Sequence, residues 1–300
     1  MNPNISRVFQ GGAIADVPST GGNEVATVDS NKYHVFTEDG NFVAGANLTA
    51  NVLLVAGGGT GREGSSITRG GGGGGGGGLI QWQEVTFVKG QTYALSIGEG
   101  GIALTDSDAE NSTCEHSGGT LTAVKGGIGG TGQAGGVDGA DGGSGGGGGN
   151  NNSASGRSGG TGSQGNDGGD ATTDSNGGAG GGGGFSTAGQ DGQGVTSASV
   201  GGYGGEGWTI DTDTATLTSF SGMTKLSSGG GGGARTNDAE PGTGGAAGTG
   251  AGSGSGGTEA APTAGTSPTS FGCASGGFTT NVTGKDGFKG VGVIRYAVEA

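Results

Sequence analysis

The chain has 300 residues, of which 86 are glycine, 28% hydrophobic and 5% aromatic. Glycine stands at about four times its usual share, and because ordering a residue costs about 1–2 kcal/mol, most for glycine, side-chain burial alone cannot hold such a chain; an ordinary globular enzyme is excluded. With 12 basic and 26 acidic residues the net charge is −14, which removes the phosphate attraction that nucleic acids and anionic membranes offer a binding protein.

Met1 to Gln10 shows no basic flank followed by an apolar stretch, and no apolar run approaches the roughly 18–20 residues needed to cross a bilayer. Neither a secretion leader nor membrane insertion is expected. Residues 1–30, with Gly11-Gly12, Pro18 and Gly21-Gly22, are set apart as an N-terminal attachment segment, and residues 31–105 read as a β-rich base. Within it Tyr33 to Phe36 is rich in β-formers, and the continuous apolar run Asn51 to Ala56 fits a strand buried on both faces. Glu84 to Ile97 reads as a hairpin, with Val85 and Phe87 alternating on one arm, Tyr93, Leu95 and Ile97 on the other, and Lys89-Gly90 as its turn. At the other end, Val291 to Val298 is again β-rich, so that residues 288–300 return to the base and both ends share one sheet.

Residues 106–287 are glycine-rich with a period of three. Gly136, Gly139, Gly142, Gly145 and Gly148 form one series and Gly156, Gly159, Gly162, Gly165 and Gly168 another, with shorter series at Gly177, Gly201, Gly242 and Gly284. Three residues per turn is the repeat of an extended polyproline-II-type helix, which rises about 3.1 Å per residue and makes no internal hydrogen bonds. Collagen is excluded by 5 prolines and a broken period. The ordered alternative to a flexible linker is a bundle of polyglycine-II helices, whose backbones approach closely enough to bond one another. Gly156 to Gly168 would span about 40 Å at that rise. The fold class is therefore mostly β and irregular, a small β-rich base plus a polyglycine-II bundle, with almost no α-helix.

Several blocks taken together resemble a known family. Asn41-Phe42-Val43, then Asn51 to Gly59, then Gly70 to Gly78 with Leu79-Ile80, then Val88 to Gly101, and finally Gly287 to Tyr296 are similar to the glycine-rich domain common in bacteriophage tail-fibre proteins. The resemblance runs from about Tyr33 to Tyr296; residues 1–30 match no attachment motif of that kind. It implies a distal receptor-binding adhesin in which variable loops at helix ends touch the bacterial surface. The expected location is the virion tail fibre, made in the host cytoplasm and working outside the cell.

Motifs for chemistry are sparse. Cys114-Glu115-His116 lacks the four ligands of a zinc site and reads as a polar surface loop; windows matching Gly-x-Gly-x-x-Gly are expected by chance at this glycine density, and no helix follows them. No Ser, His and Asp grouping is arguable from two histidines, His34 and His116. Asp138 with Asp141, and Asp167 with Asp170, lack the apolar positions of calcium-binding repeats and read as solvated charge. No cofactor, metal or enzymatic activity is expected. Cys114 and Cys273 are too few for a disulfide scaffold and leave one long-range bridge open. Thr212, Thr214, Thr216 and Thr218 alternate as an ice-binding face would, but once only, so a solvent-facing strand is the simpler reading.

Receptor contact is sought where the period breaks: Asp106 to Ser117, Asn150 to Ser158, Phe185 to Val200, Ala234 to Glu240 and Thr258 to Phe271. Arg157, Phe185, Tyr203, Arg235 and Phe271 are the candidate receptor-binding residues, being aromatics or arginines among small polar neighbours. The function expected is a non-enzymatic phage adhesin for outer-membrane protein loops or polysaccharide, whose other partner is a fibre shaft or further copies of itself. The alternative is a structural or ice-binding glycine-rich protein without a specific receptor.

Overall fold

The computed structural model describes residues 18–64, 69–103, 107–133, 136–150, 157–173, 177–195, 198–210, 223, 225–234, 243–257, 262–279 and 283–298. Among them there are fifteen strands, all antiparallel where paired, and no helix. The chain enters β1 (Glu24–Val28) and turns into β2 (Asn31–Phe36) through Asp29 and Ser30, with φ of 47° and 62°. Positive φ at both central residues is the primed turn whose twist matches a hairpin. Asp-Ser carries that turn less conspicuously than Asn-Gly, so β1 is missed when only hydrophobic pattern is read.

A five-stranded sheet has the order β1-β2-β15-β4-β5, with β4 at Leu48–Val55, β5 at Leu79–Phe87 and β15 at Val291–Ala297. The last strand thus lies between two strands of the first third, Val293 opposite both Val35 and Leu53. Both faces of its central strands β4 and β15 are buried over most of their length, while the outer strands β1 and β5 carry exposed residues. Val52, Leu54 and Ala56 point into one apolar cluster with Phe36, Phe42, Phe87 and Ile294, while Leu53 and Val55 point into another with Tyr33, Val35 and Val293. That is why β4 is an unbroken apolar run.

The first cluster is closed by a second sheet of order β3-β6-β7-β8: β3 Gly40–Val43, β6 Thr92–Ser96, β7 Ser112–His116 and β8 Gly119–Ala123. The two arms read as one hairpin therefore part company: β5 pairs with β4, β6 with β3 and β7. The turn itself is present, Gln91 N–H donating to Val88 O at 3.1 Å with Gly90 at φ 75°. Positive φ falls at Gly90 and not at Lys89, so this is no primed turn, and it splays the strands into opposite layers. Val85, Phe87, Tyr93, Leu95 and Ile97 all fill the same cluster, since alternation fits strands facing each other across a core as well as strands side by side. Cys114-Glu115-His116 is also corrected, from a surface loop to part of β7, with Cys114 wholly buried.

Beyond the two sheets the chain runs in extended glycine tracts joined by backbone hydrogen bonds, with short pairs β9–β10 (Gln193–Val195, Ala198–Val200), β11–β12 (Trp208–Thr209, Lys225–Leu226) and β13–β14 (Gly256–Gly257, Pro262–Thr263) among them. The tract 70–78 is wholly buried and lies at the centre. Its donors rotate among neighbours: Gly72, Gly75 and Gly78 bond to the carbonyls of Gly130, Gly127 and Val124, Gly73 and Gly76 to Gly180 and Gly183, and Gly74 and Gly77 to Ser275 and Gly272. Its carbonyls accept from three further tracts: Gly78, Gly75 and Gly72 from Ala56, Gly59 and Arg62; Gly76, Gly73 and Gly70 from Ser144, Gly147 and Asn150; and Gly74 and Gly71 from Gly230 and Gly233. Partners recur every third residue, and backbone bonds take the place of a side-chain core.

Both cysteines are free and buried, so no bridge joins them. Cys114 lies in the sandwich core and Cys273 in a glycine tract, where Ser228 N–H donates to its sulfur at 3.3 Å. Burial pushes their thiols up to about 12 and about 11 respectively, which keeps both protonated at neutral pH.

Candidate functional site

The tracts have two ends. One joins the sandwich, where Ala56 follows β4, Gly78 precedes β5 and Val124 follows β8, with Ala56 N bonded to Gly78 O and Gly78 N to Val124 O. At the opposite end a second connected layer forms: Gly132 bonds to Glu63, Gly64 to Phe278, Ser255 to Gly277, Ala234 to Ser255, Asn150 to Gly70, and Thr172 to Gly178. This far layer carries the residues that flank 65–68, 134–135, 151–156, 174–176, 235–242, 258–261 and 280–282. The described residues that border three of the period breaks, at Asn150 and Arg157, Ala234, and Gly257, are therefore gathered in one layer, whereas Asp106 to Ser117 and Phe185 lie at the sandwich.

The five candidate residues divide between these places. Arg157 is at the far layer, its carbonyl accepting from Ala171 N at 2.9 Å and its guanidinium 3.9 Å from the Asp138 carboxylate. Arg62 and Arg69, which were not singled out, sit half-buried at the same end; the signal available was an arginine at the point where a glycine tract stops. Tyr203 is 50% exposed on the flank of the tracts, its carbonyl accepting from Gln190 N. Phe271 is 8% exposed, edge-on to Phe288 at 5.5 Å, and Phe185 packs partly buried against the same cluster. These two fill the junction between the five-stranded sheet and the glycine tracts, where apolar side chains are scarce. Arg235 lies outside the described residues, as do Thr212 to Thr218.

The segment Asp106 to Ser117 contributes β7 to the sandwich and is no receptor loop over that strand. On the outer face of its sheet a shallow polar groove of about 420 Å³ is lined by Asp39, Asn41, Ser96, Thr113, Glu115 and Thr120, among others. Its two carboxylates are already engaged, Asp39 accepting from Ile97 N at 2.7 Å and Glu115 from Ala94 N at 3.1 Å.

The same device explains the aspartates along the flank. An outermost tract has donors with no neighbouring tract to accept them, and aspartate side chains do so instead: Asp141 from Thr161 N, Asp167 from Gly162 N, Asp170 from Gly159 N, Asp138 from Ser158 N and Asp191 from Asp170 N, at 2.7–3.2 Å. Their three-residue spacing follows the repeat of the tracts whose donors they accept. Among the described residues no three His, Cys, Asp or Glu side chains converge on a metal position. Asp141→Ala is expected to cost about 1 kcal/mol in denaturant unfolding, because Thr161 N–H then relies on water, whereas Asp141→Asn retains most of the bond. Nearby, burial alone would raise the Glu206 carboxyl, but Lys225 and the Thr249 donors overrule it and hold Glu206 below its ordinary value.

The chain matches the glycine-rich domain over residues 37–297 and belongs to that family. No curated protein matches it. No helix among the described residues is long and apolar enough to cross a membrane.

Proposed function

We propose that this chain is a non-enzymatic receptor-binding adhesin of a phage tail fibre, built as a polyglycine-II bundle on a β-sandwich. The three-residue rotation of hydrogen-bond partners around the tract 70–78 supports the polyglycine-II reading. The tail-fibre reading draws on the family-like blocks Asn51 to Gly59, Val88 to Gly101 and Gly287 to Tyr296.

One observation carries the functional reading. Segments of varied sequence are strung between tracts that end in a single far layer, together with Arg62, Arg69 and Arg157. A rigid lattice that mounts many connections side by side suits recognition of a surface, with aromatic or arginine anchors supplying most of the energy. The receptor is an outer-membrane protein loop or a surface polysaccharide, and the sandwich end faces the fibre shaft. Arg157 and Tyr203 are the described residues offered to the receptor, while Phe185 and Phe271 hold the platform.

The test is adsorption. Purified protein should bind cells of a susceptible host saturably and block phage adsorption, and Arg157→Ala should weaken binding at least fivefold with an unchanged melt. Correctly folded protein that binds no candidate host and depresses the freezing point of water would instead favour an ice-binding protein.

A further inference from the structure

We propose that Trp82 and Arg295 form a second binding site, for the carboxylate of an acidic sugar, on the face of the five-stranded sheet and separate from the far layer. Its origin is a mismatch in β5. Ile80 packs against the sandwich core and so do Val85 and Phe87, an odd separation that a regular strand cannot place on one face. The pairing Leu54 with Ile80 and Val52 with Gln83 shows how this is resolved, by a bulge of one extra residue opposite Leu53.

Within the bulge Trp82 has φ 41°, a left-handed conformation that is easy for glycine or asparagine and strained for a bulky residue. The strain is tied to a specific placement. The indole packs half-buried against the second cluster, and the Arg295 guanidinium lies 4.2 Å from its ring centroid. Arg295 is itself half-buried, with Asn51 as its cross-strand neighbour on one side and Tyr33 on the other, and Glu84 follows Asn51 in the same row.

The cation–π contact with the Trp82 ring holds the guanidinium without using its N–H groups. Among the described residues no carboxylate lies within ion-pair reach of Arg295 and no acceptor takes its N–H groups, in a chain with 26 acidic residues. A half-buried guanidinium held over a ring with its N–H groups unpaired suits a planar carboxylate, bound by two parallel N–H donors. Asn51 and the exposed Gln81 and Glu84 supply donors and acceptors for hydroxyl groups. Glu84 in the same row disfavours a dianion, so a monoanionic hexuronate fits better than phosphate. Because β5 is an edge strand, the site is open on one side.

The full chain carrying Trp208→Phe retains Trp82 as its one indole. Its fluorescence is titrated with glucuronate, glucose and inorganic phosphate at constant ionic strength. The expected result is a saturable change with glucuronate, at least tenfold tighter than with glucose or phosphate. Arg295→Lys keeps the charge but loses the fork and should weaken glucuronate at least tenfold; Glu84→Gln, at an exposed position, should tighten it about twofold. Absence of a saturable change, phosphate binding as tightly as glucuronate, or an unchanged affinity in Arg295→Lys overturns the proposal. Should Arg295→Lys fail to fold, the ligand order and the direction of the Glu84→Gln effect decide. Host adsorption is scored separately, so failure here and failure of the far-layer reading are distinguishable.

Discussion

Gly75→Ala is expected to destroy the glycine lattice, with a loss of at least about 3 kcal/mol in denaturant unfolding or outright failure to fold. A Cβ at Gly75 would sit on the carbonyl oxygen of Ser144 and 2.6 Å from that of Gly145. Both obstacles are backbone, and Ser144 O is bonded in turn to Gly127 N, so neither can yield without breaking a neighbouring tract. Hydrogen exchange gives the local readout: amides of residues 70–78, all buried, should exchange slowly in the parent protein and at coil-like rates in the variant. Gly90→Ala is the control. Nothing lies within 4 Å of its Cβ, and with φ 75° only backbone strain opposes the substitution, about 1 kcal/mol. Equal tolerance at the two positions would show that the tracts do not depend on close backbone approach.

That contrast also marks what composition could and could not reveal. A period of three in glycine is legible because the repeat of the chain sets it, and the apolar run Val52 to Val55 is legible because both faces of β4 are covered. Which tract touches which is not, since Gly72 and Gly73 are the same residue type yet bond to tracts fifty positions apart, at Gly130 and Gly180. Nor could linear reading distinguish Phe271, which closes the sheet junction, from an exposed aromatic anchor such as Tyr203. Aspartates spaced by three, Asp138 with Asp141 and Asp167 with Asp170, were visible as charge. Their service as acceptors for an outer tract becomes visible only when that tract's missing neighbour is known.

Lowering the pH from about 7 to about 5 is expected to weaken the sandwich through His34, and His34→Gln should lose that part of the pH dependence. His34 is wholly buried between Gly21 O, 2.7 Å from Nδ1, and the Tyr296 hydroxyl, 3.2 Å from Nε2, with its ring edge-on to Phe42 and stacked on Tyr296. A carbonyl only accepts, so Nδ1 carries the proton and Nε2 accepts from Tyr296 O–H. Protonation at Nε2 would oblige the Tyr296 hydroxyl to turn and accept, and would place a charge in an apolar surround. Burial lowers the His34 pKa below 6.5; the bond to Gly21 O works the other way, and the Lys32 charge adds to the lowering. The folded chain therefore binds the proton less readily than the unfolded chain. Stability from this group is fully present above about pH 6.5 and is lost as pH falls through the folded pKa, with a slope of up to about 1.4 kcal/mol per pH unit. Because Nδ1 tethers Gly21, which at φ 113° leads the chain from its Thr20–Val43 pairing into β1, the loss should begin at this N-terminal strap. Thermal melts of parent and His34→Gln between pH 5 and 8 give the comparison: curves that fall in parallel would assign the acid sensitivity to the carboxylates instead.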